Sequence, residues 1–120
     1  MPATYLLQDW KYVSGTAGDE IVQEESGWLD LGGLTDVTFY LTVKSYSGAP
    51  TIHYQTSPSK DNDLFASMDS VTPGAAGRTV TIVRYSSASE PLARWVRWRI
   101  TAAAAFTMNF RLWVAAVATG

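Results

Sequence analysis

His53 is the only histidine of the chain, and Ser57 stands four positions after it. These are the residue types of a nucleophile and its base. A Ser-His-Asp arrangement needs the imidazole held by a carboxylate and in reach of the hydroxyl, and no G-x-S-x-G elbow surrounds Ser57. His53 is therefore read as a strand histidine on a solvated face. The stretch Ser57 to Asp63 groups Asp61, Asn62 and Asp63, oxygen ligands of the kind calcium prefers. The EF-hand spacing is missing and Lys60 would oppose a cation, so the stretch reads as an Asx-rich turn and no metal is expected. Asp19-Glu20 and Glu24-Glu25 are carboxylate pairs such as glycoside hydrolysis uses, but they fall in a segment read as loop. No pattern specifies a reaction. The chain is expected to be non-enzymatic and to need no cofactor.

The residues suited to contact are more telling. In Ala93 to Thr101 a strand would place Val96, Trp98 and Ile100 on one face and Trp95, Arg97 and Arg99 on the other. The first set can fill a core. The second joins a large ring to permanent cations, which are costly to bury without partners. Arg111 and Trp113 take equivalent outward positions on the strand that follows. If these two strands pair, Trp95 and Trp113 become cross-strand neighbours. The expected contact surface is Trp95, Arg97, Arg99, Arg111 and Trp113, since Trp and Arg are favoured at interfaces. The alternative is a sugar-stacking platform of Tyr40, Trp95 and Trp113. Trp28 and Trp98 are assigned to the core.

Period-two patterns position these residues, and no segment sustains a helical period. Strands are expected at Thr4 to Val13, Trp28 to Leu31, Asp36 to Tyr46, Thr51 to Thr56, Arg78 to Tyr85, Leu92 to Thr101 and Phe106 to Ala116. Leu64 to Met68 reads as a short strand or a helical turn. Residues 14–27 read as a loop, and Ala102 to Ala105 as the reversal between the last two strands. In the strand from Asp36, Val37, Phe39, Leu41 and Val43 share the inward face. In the last, Phe106, Met108, Phe110, Leu112 and Val114 do. About eight short strands with regular turns describe an all-β fold: a single antiparallel β-sandwich over residues 1–120, jelly-roll-like. A seven-stranded immunoglobulin-like sandwich is the alternative, without its Cys–Trp–Cys marker. Residues 1–7 are a candidate N-terminal arm for strand exchange.

Composition agrees with a globular domain: 120 residues, 47% hydrophobic, 17% charged, no cysteine, a formal charge of −2. The absence of cysteine excludes a disulfide scaffold. The acidic balance argues against direct nucleic-acid binding. Neither a signal peptide nor a membrane span is expected. Residues 1–60 carry a net −4 and residues 61–120 a net +2, a split that would set docking register between copies or partners.

The pattern Ile52-His53-Tyr54-Gln55-Thr56-Ser57-Pro58, then Phe65, then Arg94-Trp95-Val96-Arg97-Trp98 resembles small all-β structural proteins of tailed bacteriophages and prophages. These are head decoration or other minor virion proteins. The resemblance spans residues 28–114 and rests on strand patterns, with no catalytic signature. It implies a non-enzymatic structural protein of a phage-like particle, a capsid decoration or auxiliary protein lying across coat subunits. The implied partners are a major capsid or other virion protein and further copies of the chain, with a trimer one candidate state. The implied location is the virion, with assembly in the host cytoplasm. The alternative function is a carbohydrate-binding module or receptor-binding tip with a glycan ligand.

Overall fold

A computed structural model of the protein describes residues 3–32, 34–83 and 92–117. Nine strands run in the order β1 (Ala3–Gly15), β2 (Glu20–Val22), β3 (Leu29–Asp30), β4 (Asp36–Ser47), β5 (Thr51–Ser57), β6 (Ala66–Val71), β7 (Gly77–Val83), β8 (Trp95–Thr101) and β9 (Phe106–Val117). Short 3-10 turns lie at Glu25–Gly27 and Asn62–Leu64.

The strands form two antiparallel sheets. The first has the order β1-β9-β4-β7 and the second β2-β8-β5-β6, with β3 also paired to β8. Leaving β3 aside, the chain visits the sheets in the alternation of a jelly roll, whose double-sheet winding handles strand edges without closing a barrel. The all-β sandwich expected from the period-two patterns is the fold, with one strand more than the eight anticipated. The extra strand, β2, lies inside the acid-rich segment read as loop. Leu64 to Met68 divides between a 3-10 turn and β6. Residues 84–91 lie outside the described residues, and with them the end of the strand expected to reach Tyr85.

The alternation that builds each strand also builds the core. Val37, Phe39, Leu41 and Val43 of β4 and Phe106, Met108, Phe110, Leu112 and Val114 of β9 are buried, as are Val96, Trp98 and Ile100 of β8. Phe39 of the first sheet stacks on Tyr54 of the second with centroids 4.0 Å apart and planes 5° from parallel. Trp98 meets Phe110 edge-on at 5.1 Å and 89°. Aromatic pairs in these geometries add to the burial of their surfaces.

Ala102 to Ala105 does not fold β8 back onto β9. It carries the chain from one sheet to the other, so the two strands face each other across the core. Both have fully apolar inward faces, and opposing sheets bury both where a common sheet would bury neither against the other. Close by, Gly48 turns the chain between β4 and β5 at φ 72°. A Cβ there would clash with the Ala105 carbonyl oxygen. Gly48→Ala is therefore expected to lower stability by about 1–2 kcal/mol for the left-handed backbone alone, and by more once the clash is relieved. A chemical-denaturation midpoint unchanged by the substitution would contradict this packing.

Residues 3–7 of the segment expected as an arm lie instead in the chain's own sheet. Ala3, Thr4, Tyr5 and Leu6 oppose Ala116, Ala115, Val114 and Trp113. Met1 and Pro2 lie outside the described residues.

Candidate interaction surface

The five residues expected to share a contact face are split between the two sheets. Trp95, Arg97 and Arg99 lie on the outer side of the second sheet, on β8. Arg111 and Trp113 lie on the outer side of the first, on β9. Trp95 and Trp113 are not cross-strand neighbours, because their strands never pair.

On the second sheet the expected exposed face is largely covered. The turns at Glu25–Gly27 and Asn62–Leu64 fold over it, and Trp28 packs edge-on against Phe65 at 4.8 Å. Arg97 lies beneath them, only 4% exposed. Its guanidinium sits 4.0 Å from the Phe65 ring centroid and 5.1 Å from that of Trp28. Its Nε donates to Gln55 Oε1 at 2.9 Å and its Nη1 to Asn62 Oδ1. Burial pushes its pKa down from the ordinary arginine value. Arg97 thus lies buried between the sheet and the loops, which corrects the expectation of an exposed cation.

Its neighbours are also engaged. Arg99 pairs with Glu20: its Nε lies 2.7 Å from Oε1 and its Nη2 donates to Oε2 at 3.1 Å; hydrogen bonding to Arg99 holds the Glu20 carboxyl below its usual value. Arg94 grips Asp30 with two nitrogens, at 3.1 and 2.9 Å. Trp95 is half-buried between Lys60 and Arg94, whose charges lie 5.1 and 5.7 Å from its ring. His53 bonds Thr101 Oγ1 at 2.9 Å, and burial with the adjacent Arg99 lowers its pKa. Ser57 bonds the Ser59 carbonyl and opposes Trp95, whereas His53 opposes Arg99. The two residue types of a triad are not brought together. Among the described residues no group of three His, Cys, Asp or Glu side chains could hold a metal.

Gln23 was missed by sequence reasoning. Its amide fills the gap between β2 and β3 on the edge of β8. The Gln23 backbone N–H donates to the Trp98 carbonyl, and Oε1 accepts from the Trp98 N–H at 3.3 Å. Nε2 donates to Leu7 O at 2.7 Å and Gly27 O at 3.0 Å. One side chain thus continues a ladder and joins the two sheets at their edge. It also lines a half-open cleft of about 430 Å³ with Gln8, Asp9, Lys11, Glu24 and Trp98.

The open surface is the outer face of the first sheet. Its register lays one row across all four strands: Leu6, Trp113, Tyr40 and Val80. A second row holds Thr4, Ala115, Thr38 and Ile82. On the other side of the aromatic row, Arg111 and Arg78 both oppose Thr42. Trp10 covers Arg111, with the guanidinium 4.8 Å from its ring. Of the seven large hydrophobic residues exposed among the described residues, six belong to this sheet: Leu6, Trp10, Tyr12, Val80, Ile82 and Trp113. Trp113 is 36% exposed and Ile82 52%. Tyr40 and Trp113, two members of the expected sugar platform, are direct cross-strand partners here. Trp95, the third, is on the opposite side of the sandwich. Tyr40 and Val80 could not be tied to this surface without the pairing of β4 with β7 and β9.

Comparison with known proteins bears on the fold. No family profile matches the sequence, and no curated protein sequence matches it. Among solved structures, the PBSX exported protein XepA superposes with a TM-score of 0.59 at 16% identity, over 98% of this chain and 38% of that one. The VP2 subviral particle of infectious bursal disease virus gives 0.54 at 10% identity, over 98% and 33%. The Gx strain of the same virus gives 0.51 at 10%, over 100% and 34%. The chain spans about a third to two fifths of the length of these neighbours. At such identities the likeness is one of fold.

Proposed function

We propose that the chain is a non-enzymatic structural protein of a phage-like particle, a capsid decoration or auxiliary protein that binds across coat subunits. The observation that carries this reading is the outer face of the first sheet. A contiguous aromatic and aliphatic surface flanked by arginines, on a rigid sandwich, suits docking onto another protein. The likeness of fold to VP2 of the infectious bursal disease virus subviral particle supports the reading by analogy. On this reading the partner is a major capsid or other virion protein, and the chain assembles in the host cytoplasm and resides in the virion. Contacts repeated across subunits supply avidity that one face lacks.

Particles purified from producing cells are expected to contain the chain at a copy number in simple ratio to the coat protein. Trp113→Ser with Ile82→Ser should abolish its incorporation while the isolated domain keeps its β spectrum. Particles that never contain the wild-type chain would overturn the reading.

The second reading is a carbohydrate-binding module or receptor-binding tip. The adjacency of Tyr40 and Trp113 favours it, because a half-buried ring beside an exposed one can stack on a sugar. Saturable quenching of tryptophan fluorescence by a glycan, lost in Trp113→Ser, would establish it in place of the first.

A further inference from the structure

The two sides of the sandwich differ in charge as well as in polarity. The open face of the first sheet presents Arg78 and Arg111, with Lys44 at the bulge of β4 beside Val43. The opposite side is covered by the two loops that bury Arg97. These expose Glu25, Asp61 and Asp63, with Leu64 on the same surface, 49% exposed. The cations on that side are already engaged: Arg94 by Asp30, Arg99 by Glu20, and Lys60 4.0 Å from Glu25. The surplus there is acidic, and the surplus on the open face is basic.

Resting on the structural reading above, we infer that the open face of the first sheet binds the acidic loop surface of a second copy of this chain, head to tail. Charge chooses this arrangement over a two-fold one. Face against face would bring together two surfaces with the same basic surplus, and like charge opposes association. Face against loops sets these arginines against Asp61 and Asp63, with Leu64 available to the aromatic row. Because the two surfaces lie on opposite sides of the sandwich, the contact is heterologous. Such contacts build rings or strings, whereas two-fold dimers close on themselves.

The size of the face sets the strength. Four strands at about 4.8 Å and three rows at about 7 Å give a projected face of roughly 400 Å². A standard interface buries about 800 Å² per partner. A single contact is therefore weak and salt-sensitive, and becomes effective when repeated along an assembly.

The test uses two variants and their mixture in sedimentation velocity at low ionic strength. The face variant is Trp113→Ser with Arg78→Glu. The loop variant is Asp63→Lys with Leu64→Ser. Circular dichroism verifies that both keep the fold. The wild type should self-associate in a concentration-dependent way that weakens as salt rises. Each variant alone should lose about tenfold or more in association, the scale of losing a central interface residue. Mixed, they should form a one-to-one dimer and stop there, since each keeps the surface the other lacks. A loop variant that still self-associates beside a monomeric face variant would mean a two-fold contact and overturn the head-to-tail arrangement. A wild type that stays monomeric at every concentration would overturn self-association altogether. If that monomer is still found in particles, the structural reading stands without it. If it binds a glycan through Trp113, the face serves a sugar.

Discussion

Trp98→Ala is expected to destabilise the domain by about 3–5 kcal/mol, the range for truncating a large aromatic side chain in a core. Trp98 is fully buried. Its ring packs edge-on against Phe110, and its indole N–H donates to Gln8 Oε1 at 3.1 Å. The substitution thus removes a contact between sheets and leaves the Gln8 acceptor without its donor. Against a total stability of about 5–15 kcal/mol, this is enough to leave part of the population unfolded near physiological temperature. Chemical denaturation of Trp98→Ala beside Phe110→Ala checks the claim. The double variant should cost less than the sum of the two, because residues in contact couple. Full additivity would show that the rings do not support each other.

Arg97→Glu is expected to cost about 3–5 kcal/mol, the scale of leaving an uncompensated buried charge. The carboxylate would face the Gln55 and Asn62 oxygens and the faces of two rings, and Arg99, the cation that acts on this position, is already paired with Glu20. Arg97→Met keeps the apolar stem between Trp28 and Phe65 and introduces no charge, so it should cost markedly less, about 1–2 kcal/mol for the lost hydrogen bonds. The order Glu, then Met, then wild type in rising denaturant midpoint is the expected result. Equal midpoints for all three would mean that Arg97 is solvated and the loops above it are open.

These two residues also show what could be read before the fold was known. Trp98 was legible because strand alternation is local: Val96, Trp98 and Ile100 must share a face whatever the sheet does. The same logic placed Phe39 and Phe110 in the core. Arg97 was assigned to the outward face, which is correct as a direction, yet that face is roofed by loops distant in sequence. Nothing local in Trp28, Asn62 or Phe65 announces that they converge on one arginine. Pairing of β8 with β9 is the conditional reading that their closeness along the chain invites, but β9 takes its place between β1 and β4 and β8 its place between β2 and β5. The three residues of β2 are too few for an alternation to register. The row of Leu6, Trp113, Tyr40 and Val80 exists only through register, since each residue comes from a different strand.

The place of β9 has a consequence for how the molecule comes into being. It lies between β1 and β4 in the first sheet, so Ala3 meets Ala116 across nearly the whole length of the chain. A ribosome adds about 5–20 residues per second. For most of that interval β1 and β4 have been made and their central partner has not. Each then has an unsatisfied edge and a bare apolar face. Pairing of distant segments is slow in any case, and here it must wait for the strand made last among the nine. The nascent protein therefore depends on staying soluble while incomplete, and its fate is decided in the seconds after β9 emerges.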